Sequence, residues 1–316
     1  MAAATRGMFS TLLRTQQLLM GLGVSRMVRK IPFAYPAYAY LYRHCAPRGH
    51  VCVQAEGHKL FLDPQDMGMA RTFLLFNGRW EETETRLFRS LVKEGMTVVD
   101  IGANVGYYTL LAARLTGPRG KVYAFEPNPQ NFALLSRNVE ANGYQNVVLI
   151  PKAVSDKSGT AALCIDHASS GGHSLSAFRG GADTVQVDTV SLDDYFAGER
   201  TAVDVLKMDA EGAEMAIFAG MQRVLARNPD LAMLSEFFPR AIRGLGHRPE
   251  EYIRQLAASG FQIHPIDEDR GEIESLDPAR VSKLIEPLTR KGANKDVLNL
   301  LCLRGNRASL FVENSR

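Results

Sequence analysis

From about residue 97 onward, apolar positions switch regularly between two periods. Short, continuously apolar, β-branched runs at 97–101, 121–125, 146–150, 204–208 and 231–236 predict buried strands. Between them, 106–115, 129–142, 213–226 and 249–259 carry apolar residues at helical spacing. Strand and helix in strict alternation predict a doubly wound α/β fold, a mostly parallel sheet with helices on both faces. Two later runs, 261–266 and 297–303, predict a terminal pair that closes the sheet with an antiparallel strand. Asn142-Gly143 marks the end of the 129–142 helix. The pattern is looser before residue 97. Residues 1 to about 50 read as helices broken by Pro32, Pro36 and Pro47, 51–62 as a hairpin turning at Gly57, and Arg79 to Lys93 as a helix. Between 160 and 190, TAALCI and TVQVDTV alternate as strands around the segment DHASSGGHSLSAFRGGAD, whose glycines and serines predict a mobile or ligand-ordered loop. The pattern divides the chain into a helical extension, 1–55, and one large α/β domain, 56–316.

Charge changes the picture of the extension. The chain has 316 residues, 46% hydrophobic and 22% charged, with a net charge of +3, which suits a globular protein with a large core. No acid precedes Glu56, while Arg6, Arg14, Arg26, Arg29, Lys30, Arg43 and Arg48 all do. Without those seven, 30 basic residues face 34 acids, so the α/β domain is mildly acidic. A basic, acid-free start reads as a transit peptide, as an amphipathic helix lying on an anionic membrane surface, or as a solvated helix packed on the domain. Leu12, Leu13, Leu18, Leu19, Leu22 and Val24 can share one helix side with arginines opposite, and the last two readings are favoured over import. Arg14 and Arg26 interrupt any signal-peptide core, and no run of about 20 apolar residues exists to span a membrane. Cys45, Cys52, Cys164 and Cys302 make no CxxC spacing, which points away from zinc and redox pairs and towards a reducing, cytoplasmic setting.

The chemistry concentrates in VVDIGANVGYYTLLAA, Val98 to Ala113, and KVYAFEPNP, Lys121 to Pro129. The first is a strand ending in Asp100, a small-residue turn with Gly102, Asn104 and Gly106, then a helix. This arrangement lets a nucleotide-like ligand approach backbone amides at a helix N-terminus. The second ends in Glu126, a carboxylate able to accept from two vicinal ribose hydroxyls. The dinucleotide fingerprint GxGxxG lacks its middle glycine here. Asp100 would repel a pyrophosphate, whereas it attracts a sulfonium and an ammonium. The pair of acids therefore fits S-adenosylmethionine better than a dinucleotide, with a bare tight turn as the purely structural reading.

VDVLKMDAEGAEMAIFAGM, Val203 to Met221, is the second constellation. Its strand ends at Asp209, with Glu211 and Gly212 in the turn that follows. Ligands of open α/β sheets bind outside the carboxyl ends of the strands, so Asp100, Glu126 and Asp209 face one crevice. Glu214 reads as a first-turn acid complementing the helix dipole.

GRWEETE, VVDIGANVGYYTLLAA, FEPNP, RNVEANG, KAVSDKSG, VDTVSLDDYF, VLKMDAEGAE and LSEFFP occur here in that order. With them the chain resembles the FkbM-type family of S-adenosylmethionine-dependent methyltransferases over roughly residues 60 to 305. The resemblance implies a Rossmann-like, seven-stranded class I methyltransferase fold over 56–316. It also implies methylation of oxygen, often a hydroxyl of a sugar, glycolipid or polyketide. In such a fold Asp100, Gly102, Asn104 and Gly106 line the methionine end of the donor, Glu126 holds the ribose and Asn128 flanks the adenine. Lys207, Asp209, Glu211 and Gly212 lie next to the reacting methyl, and Trp80 with Glu81 forms a lid over the donor.

A hydroxyl acceptor benefits from a base. Asp209 and Glu211 are the first candidates, since two close acids raise one another's pKa. His173, in the GGHSLS loop, is a second candidate beside its plain reading as an exposed loop histidine. His264 and Glu236 are candidates for contact with the acceptor. Two carboxylates offer a divalent cation fewer oxygens than it prefers, so a metal is possible but not favoured. The alternatives are a protein that holds the donor without using it and a NAD-dependent oxidoreductase. An acidic catalytic part without an NPPY-like tetrad excludes a nucleic-acid partner. A small-molecule or glycan acceptor and, through the basic N-terminus, a peripheral membrane contact are the expected partners.

Overall fold

The computed structural model describes residues 2–21, 34–76, 78–167, 169–175, 183–198, 201–276, 281–289 and 297–309. Leu22, Val24, Arg26, Arg29, Lys30, Pro32 and positions 176–182 of the glycine-rich loop lie outside them. Internal contacts divide the chain into two compact units, Met1–Trp80 with His167–Gly171, and Glu81–Asp166 with Gly172–Arg316.

The first unit holds helices α1 (Ala2–Gly21) and α2 (Ala34–Cys45), the hairpin β1 (Val51–Ala55) and β2 (His58–Leu62), and helix α3 (Met69–Leu75). Pro36 falls in the first turn of α2, where a missing amide costs nothing, and so it starts a helix rather than breaking one. Phe9 of α1 meets Tyr42 of α2 edge-on at 5.2 Å, and Cys45, Ala46 and Met67 complete a small apolar core. The hairpin turns at Glu56-Gly57, as its alternation requires. Hairpin and α3 contact one another, so this unit runs on to Trp80, past the boundary at residue 55 drawn from composition. Among the described residues no helix is long and apolar enough to cross a membrane.

The second unit is built on an eight-stranded sheet. In chain order its elements are α4 (Glu82–Leu91), β3 (Thr97–Ile101), α5 (Tyr107–Thr116), β4 (Lys121–Phe125), α6 (Pro129–Ala141) and β5 (Val147–Ile150). An insertion follows, β6 (Ala153–Val154), β7 (Gly159–Cys164) and β8 (Thr184–Val190), which forms a separate three-stranded sheet. After the short α7 (Leu192–Tyr195) the main sheet resumes with β9 (Val205–Met208), α8 (Glu214–Ala219), α9 (Gln222–Arg227) and β10 (Ala232–Phe237). It ends with α10 (Pro239–Gly244), α11 (Pro249–Ala258), β11 (Gln262–Asp267), β12 (Glu272–Ile273), α12 (Val281–Thr289) and β13 (Leu298–Leu303).

The strand order is β12-β11-β13-β10-β9-β3-β4-β5. The block from β10 to β5 is parallel, and β13 enters antiparallel between β10 and β11. This is the doubly wound, mostly parallel α/β architecture expected, with one strand more than the seven that the resemblance implies because the two-residue β12 adds to the edge. Central strands buried on both faces need apolar side chains throughout, and β3, β4 and β9 comply except where chemistry intrudes, at Asp100 and Lys207. The helix expected over 213–226 is two helices, α8 and α9. Gly220 lies between them, and a side chain there would strike the Ser155 carbonyl at 2.2 Å.

Candidate active site

Register decides which residues meet. Ile101 pairs with Phe125 on one side and with Met208 on the other. Gly102, Glu126 and Asp209 therefore leave the sheet side by side at its carboxyl edge. Met208 in turn pairs with Ser235, which brings Glu236 to the same level.

The turn after β3 is held from beneath. Gly102 and Ala103 both donate to the Phe125 carbonyl at 3.0 Å. Gly102 has φ +74°, and an added Cβ would lie 1.8 Å from the Asp209 carbonyl oxygen. Gly106, at φ +98°, is the N-cap of α5. The Asn104 amide donates to Glu126 Oε2 and the Asn128 amide to Glu126 Oε1, each at 2.8 Å. Burial pushes the Glu126 carboxyl up to about 7 against the pull of those two amides. Burial likewise pushes Asp100 up to about 6, although Thr109 Oγ1 donates to its Oδ2 at 2.5 Å. Asn104 Oδ1 is buried without a hydrogen-bond partner. Two raised acids, an orphaned acceptor and a glycine that no side chain could replace fit a cationic, hydroxyl-bearing ligand such as S-adenosylmethionine. The Asn128 side chain is committed elsewhere. Its Oδ1 caps α6, accepting from the Gln130 and Asn131 amides at 2.9 and 3.0 Å.

Beyond β9 and β10 lies a denser cluster. Carboxylate oxygens of Asp209, Glu211 and Glu236 lie within 4.8 Å of one another. Glu236 Oε2 is buried and accepts no hydrogen bond, and burial raises its pKa well above the usual range. Three carboxylates are the beginning of a hard-cation site, one ligand more than the Asp209–Glu211 pair legible in the sequence. Lys207 stands beside them, 3.1 Å from Glu84 and 3.9 Å from Asp209. Burial alone would lower its pKa, but Glu84, Asp209, Glu81 and Glu236 outweigh that and raise it.

Helix α4 closes the cluster. Glu81 precedes it in a left-handed conformation at φ 39°, accepting from the Tyr108 hydroxyl at 3.1 Å. Glu268 accepts from the Thr83 and Glu84 amides at 3.1 and 2.7 Å and so caps the helix from β11's end. Asn299 of β13 donates to Glu84 Oε2. Among the described residues four non-glycines have positive φ, and three of them, Glu81, Asn104 and Glu211, belong to this site. Backbone strain of this kind persists where surrounding structure over-determines it, most often at functional sites.

The expected residues divide accordingly. Asp100, Gly102, Asn104, Gly106 and Glu126 form one group. Glu81, Asp209 and Glu211 join a second, around Lys207. His173 belongs to neither. Its Nδ1 accepts from the Asp166 amide at 3.0 Å, while the next residue, Ser174, donates to the Glu211 carbonyl at 2.6 Å. The loop thus abuts the Glu211 turn, with the imidazole tied back to the segment that follows β7. His264 is buried in β11, where burial lowers its pKa. Trp80 stacks on Phe73 at 5.5 Å in the first unit. Glu84, Tyr108, Glu268 and Asn299 were missed. For Glu84 a signal existed, a third acid in EETE at helical spacing from Glu81.

The model of the methyltransferase FkbM domain matches residues 100–263. The hexuronic acid methyltransferase AglP of Haloferax volcanii is 29% identical over 150 residues, 46% of this chain and 59% of its own. A protein-L-isoaspartate O-methyltransferase of Methanococcoides burtonii is 41% identical over 59 residues, 19% of this chain and 29% of its own. The chain thus spans 59% and 29% of the length of these two relatives. A SAM-dependent methyltransferase from Aquifex aeolicus aligns over 71% of this chain and 89% of its own at 16% identity and TM-score 0.38. With the match to the FkbM domain running from Asp100 at the end of β3 to Ile263 in β11, and so taking in Glu126, Asp209 and Glu236, the chain belongs to the FkbM family of S-adenosylmethionine-dependent methyltransferases.

Proposed function

We propose that this protein methylates a hydroxyl oxygen of a sugar, glycolipid or polyketide-like small molecule. The observation that carries the reading is the convergence of Glu126 and Asp209 at one sheet edge, one acid pinned and buried, the other open. S-adenosylmethionine supplies a methyl group already activated on a sulfonium. Glu126 accepts from ribose hydroxyls, and Asp100 with the Gly102–Gly106 turn offers a negatively charged seat to the cationic end. Asp209, half-open at 41% side-chain exposure, takes the proton from the acceptor hydroxyl as its oxygen attacks. The rim of Asp209, Glu211 and Glu236 offers polar carboxyl groups to the hydroxyls of a polyhydroxylated acceptor. The likeness to AglP, named for a hexuronic acid, supports a sugar.

A second reading has a specific observation behind it. The same three carboxylates could seat a divalent cation that lowers the hydroxyl's pKa. Two experiments test these readings. The protein is incubated with methyl-labelled donor and fractionated extract of its own cells. Label in a glycan, lipid or small-molecule fraction is the expected result, and label confined to nucleic acid or protein overturns it. Turnover that survives EDTA removes the cation, and turnover lost to EDTA and restored by magnesium establishes it.

A further inference from the structure

Lys207 is the anomaly of β9. It stands in a strand buried along its whole length, between Leu206 and Met208, with 1% of its surface exposed. A buried cation needs partners, and its main one comes from far along the chain. Glu84 on α4, fully buried, meets the ammonium at 3.1 Å. Glu84 is itself fixed by Asn299 of β13. The ammonium also lies over the Tyr108 ring of α5, 5.1 Å from its centroid. Lys207 and Asp209 are two residues apart in extended chain, so their side chains leave the same face. The free side of the ammonium is turned to Asp209 Oδ2 at 3.9 Å.

A dry ion pair contributes little net stability compared with an apolar pair of similar volume. What it supplies is a charge at a fixed place. Among the described residues Asp209 has no comparable anchor on its solvent side, and the carboxyls of Glu211 and Glu236 lie within 4.8 Å of it. Without the ammonium beside it, nothing on the β9 side would hold this half-exposed carboxylate against swinging outward.

We propose that Lys207 is a positioning residue for methyl transfer: held by Glu84, which Asn299 fixes in turn, its ammonium keeps the Asp209 carboxylate aimed at the acceptor hydroxyl. The inference rests on Asp209 being the base. The Glu84–Lys207 pair is the handle by which α4, outside the glycine-turn region altogether, controls the reacting end of the site.

Full-length wild type, Lys207→Met, Lys207→Arg, Glu84→Gln, the double variant Lys207→Met/Glu84→Gln and Asp209→Asn are compared. The acceptor is the extract fraction that the wild type labels, and donor binding is read by calorimetry. The double variant removes both charges together, so it stays folded even where a single variant, with one charge left unpaired, does not. In Lys207→Met and in the double variant kcat is expected to fall at least 30-fold, with donor Kd and acceptor KM within about threefold of wild type. Lys207→Arg recovers part of the loss. The double variant is no worse than Lys207→Met, because the two residues act as one unit. A double variant with near wild-type kcat overturns the proposal, and so does a loss of donor affinity as large as the loss of kcat. If Asp209→Asn itself keeps turnover, the reading of Asp209 falls and takes this one with it. If Asp209→Asn is inactive and the double variant is not, only the role of Lys207 falls.

Discussion

Glu126 and Asp209 leave strands on either side of β3, at the same level of one sheet, yet the protein treats them in opposite ways. Both oxygens of Glu126 accept backbone amides at 2.8 Å, and those amides belong to turns fixed by glycine conformation and by a helix cap. Asp209 is 41% exposed and faces a single ammonium at 3.9 Å. One acid is set rigidly before any ligand arrives, and the other is left partly open to solvent, as its proposed role of base requires. A donor common to a whole family rewards a fixed seat, since rigidity lowers the entropic cost of binding. A base has to exchange protons with acceptor and solvent, and full burial would block that exchange.

The sharpest way to break the comparison is Asp209→Asn. The amide keeps the shape and loses the basicity, so kcat falls by about 10² to 10⁴ while donor affinity stays within twofold by calorimetry. Equal losses in both would mean that the two regions are one binding surface.

Gly102→Ala strikes the joint between them. The new Cβ would meet the Asp209 carbonyl at 1.8 Å, at a φ of +74° that L-residues avoid. Left-handed strain and overpacking together cost about 2–5 kcal/mol, read as a lowered urea midpoint. Because the clash is with backbone on the acceptor side, both donor binding and turnover fall together, unlike in Asp209→Asn.

The two regions also differ in how far the sequence discloses them. Asp100, Gly102, Asn104, Gly106 and Glu126 sit within two neighbouring strand-turn-helix units, so periodicity and turn chemistry place them together. Asp209 follows from the same strand-end rule. Glu84, Glu268 and Asn299 do not, since α4 precedes the sheet, while β11 and β13 close it, and only the crossing that inserts β13 beside β10 brings them to Lys207. A lysine inside VLKM reads as a break in an apolar strand until its partner is visible. The split of 213–226 at Gly220 was hidden for the same reason, because the Ser155 carbonyl that forbids a side chain lies in a distant segment. Helices α3 and α10 are short, and α12 carries an internal proline, Pro287.

pH sharpens the contrast on the donor side. Burial raises Asp100 to about 6 and Glu126 to about 7, whereas unfolded carboxyls titrate near 4. Between those limits the folded, ligand-free protein holds more protons than the unfolded chain. Its stability is therefore greatest below about pH 4 as far as these groups contribute, and falls as pH rises through 6 and 7. A cationic donor wants the ionised forms, so its affinity moves the other way, rising by up to about tenfold per pH unit below each midpoint. Calorimetry and urea unfolding between pH 5 and 7.5 should show these opposed slopes. Glu126→Gln should flatten both, most strongly near pH 7, and parallel slopes in the wild type would contradict a cationic ligand at this seat.

The smallest effect comes from Asn128, and it separates two roles for one residue. Its amide helps to pin Glu126, and its side chain caps α6. Asn128→Ala keeps the first and removes the second, leaving the Gln130 and Asn131 amides without their acceptor. Loss of a single such cap costs about 1 kcal/mol, measurable as a shift in the urea midpoint with an unchanged slope. The Glu126 carboxylate keeps both of its backbone donors, so donor affinity should change less than threefold. A larger loss would mean that the amide nitrogen of Asn128 reaches the adenine directly, and that the seat is read by side chains as well as held by backbone. Small as the effect is, it bears on the rigid half of the site, because a pocket preorganised by main chain tolerates loss of the cap and one assembled from side chains does not.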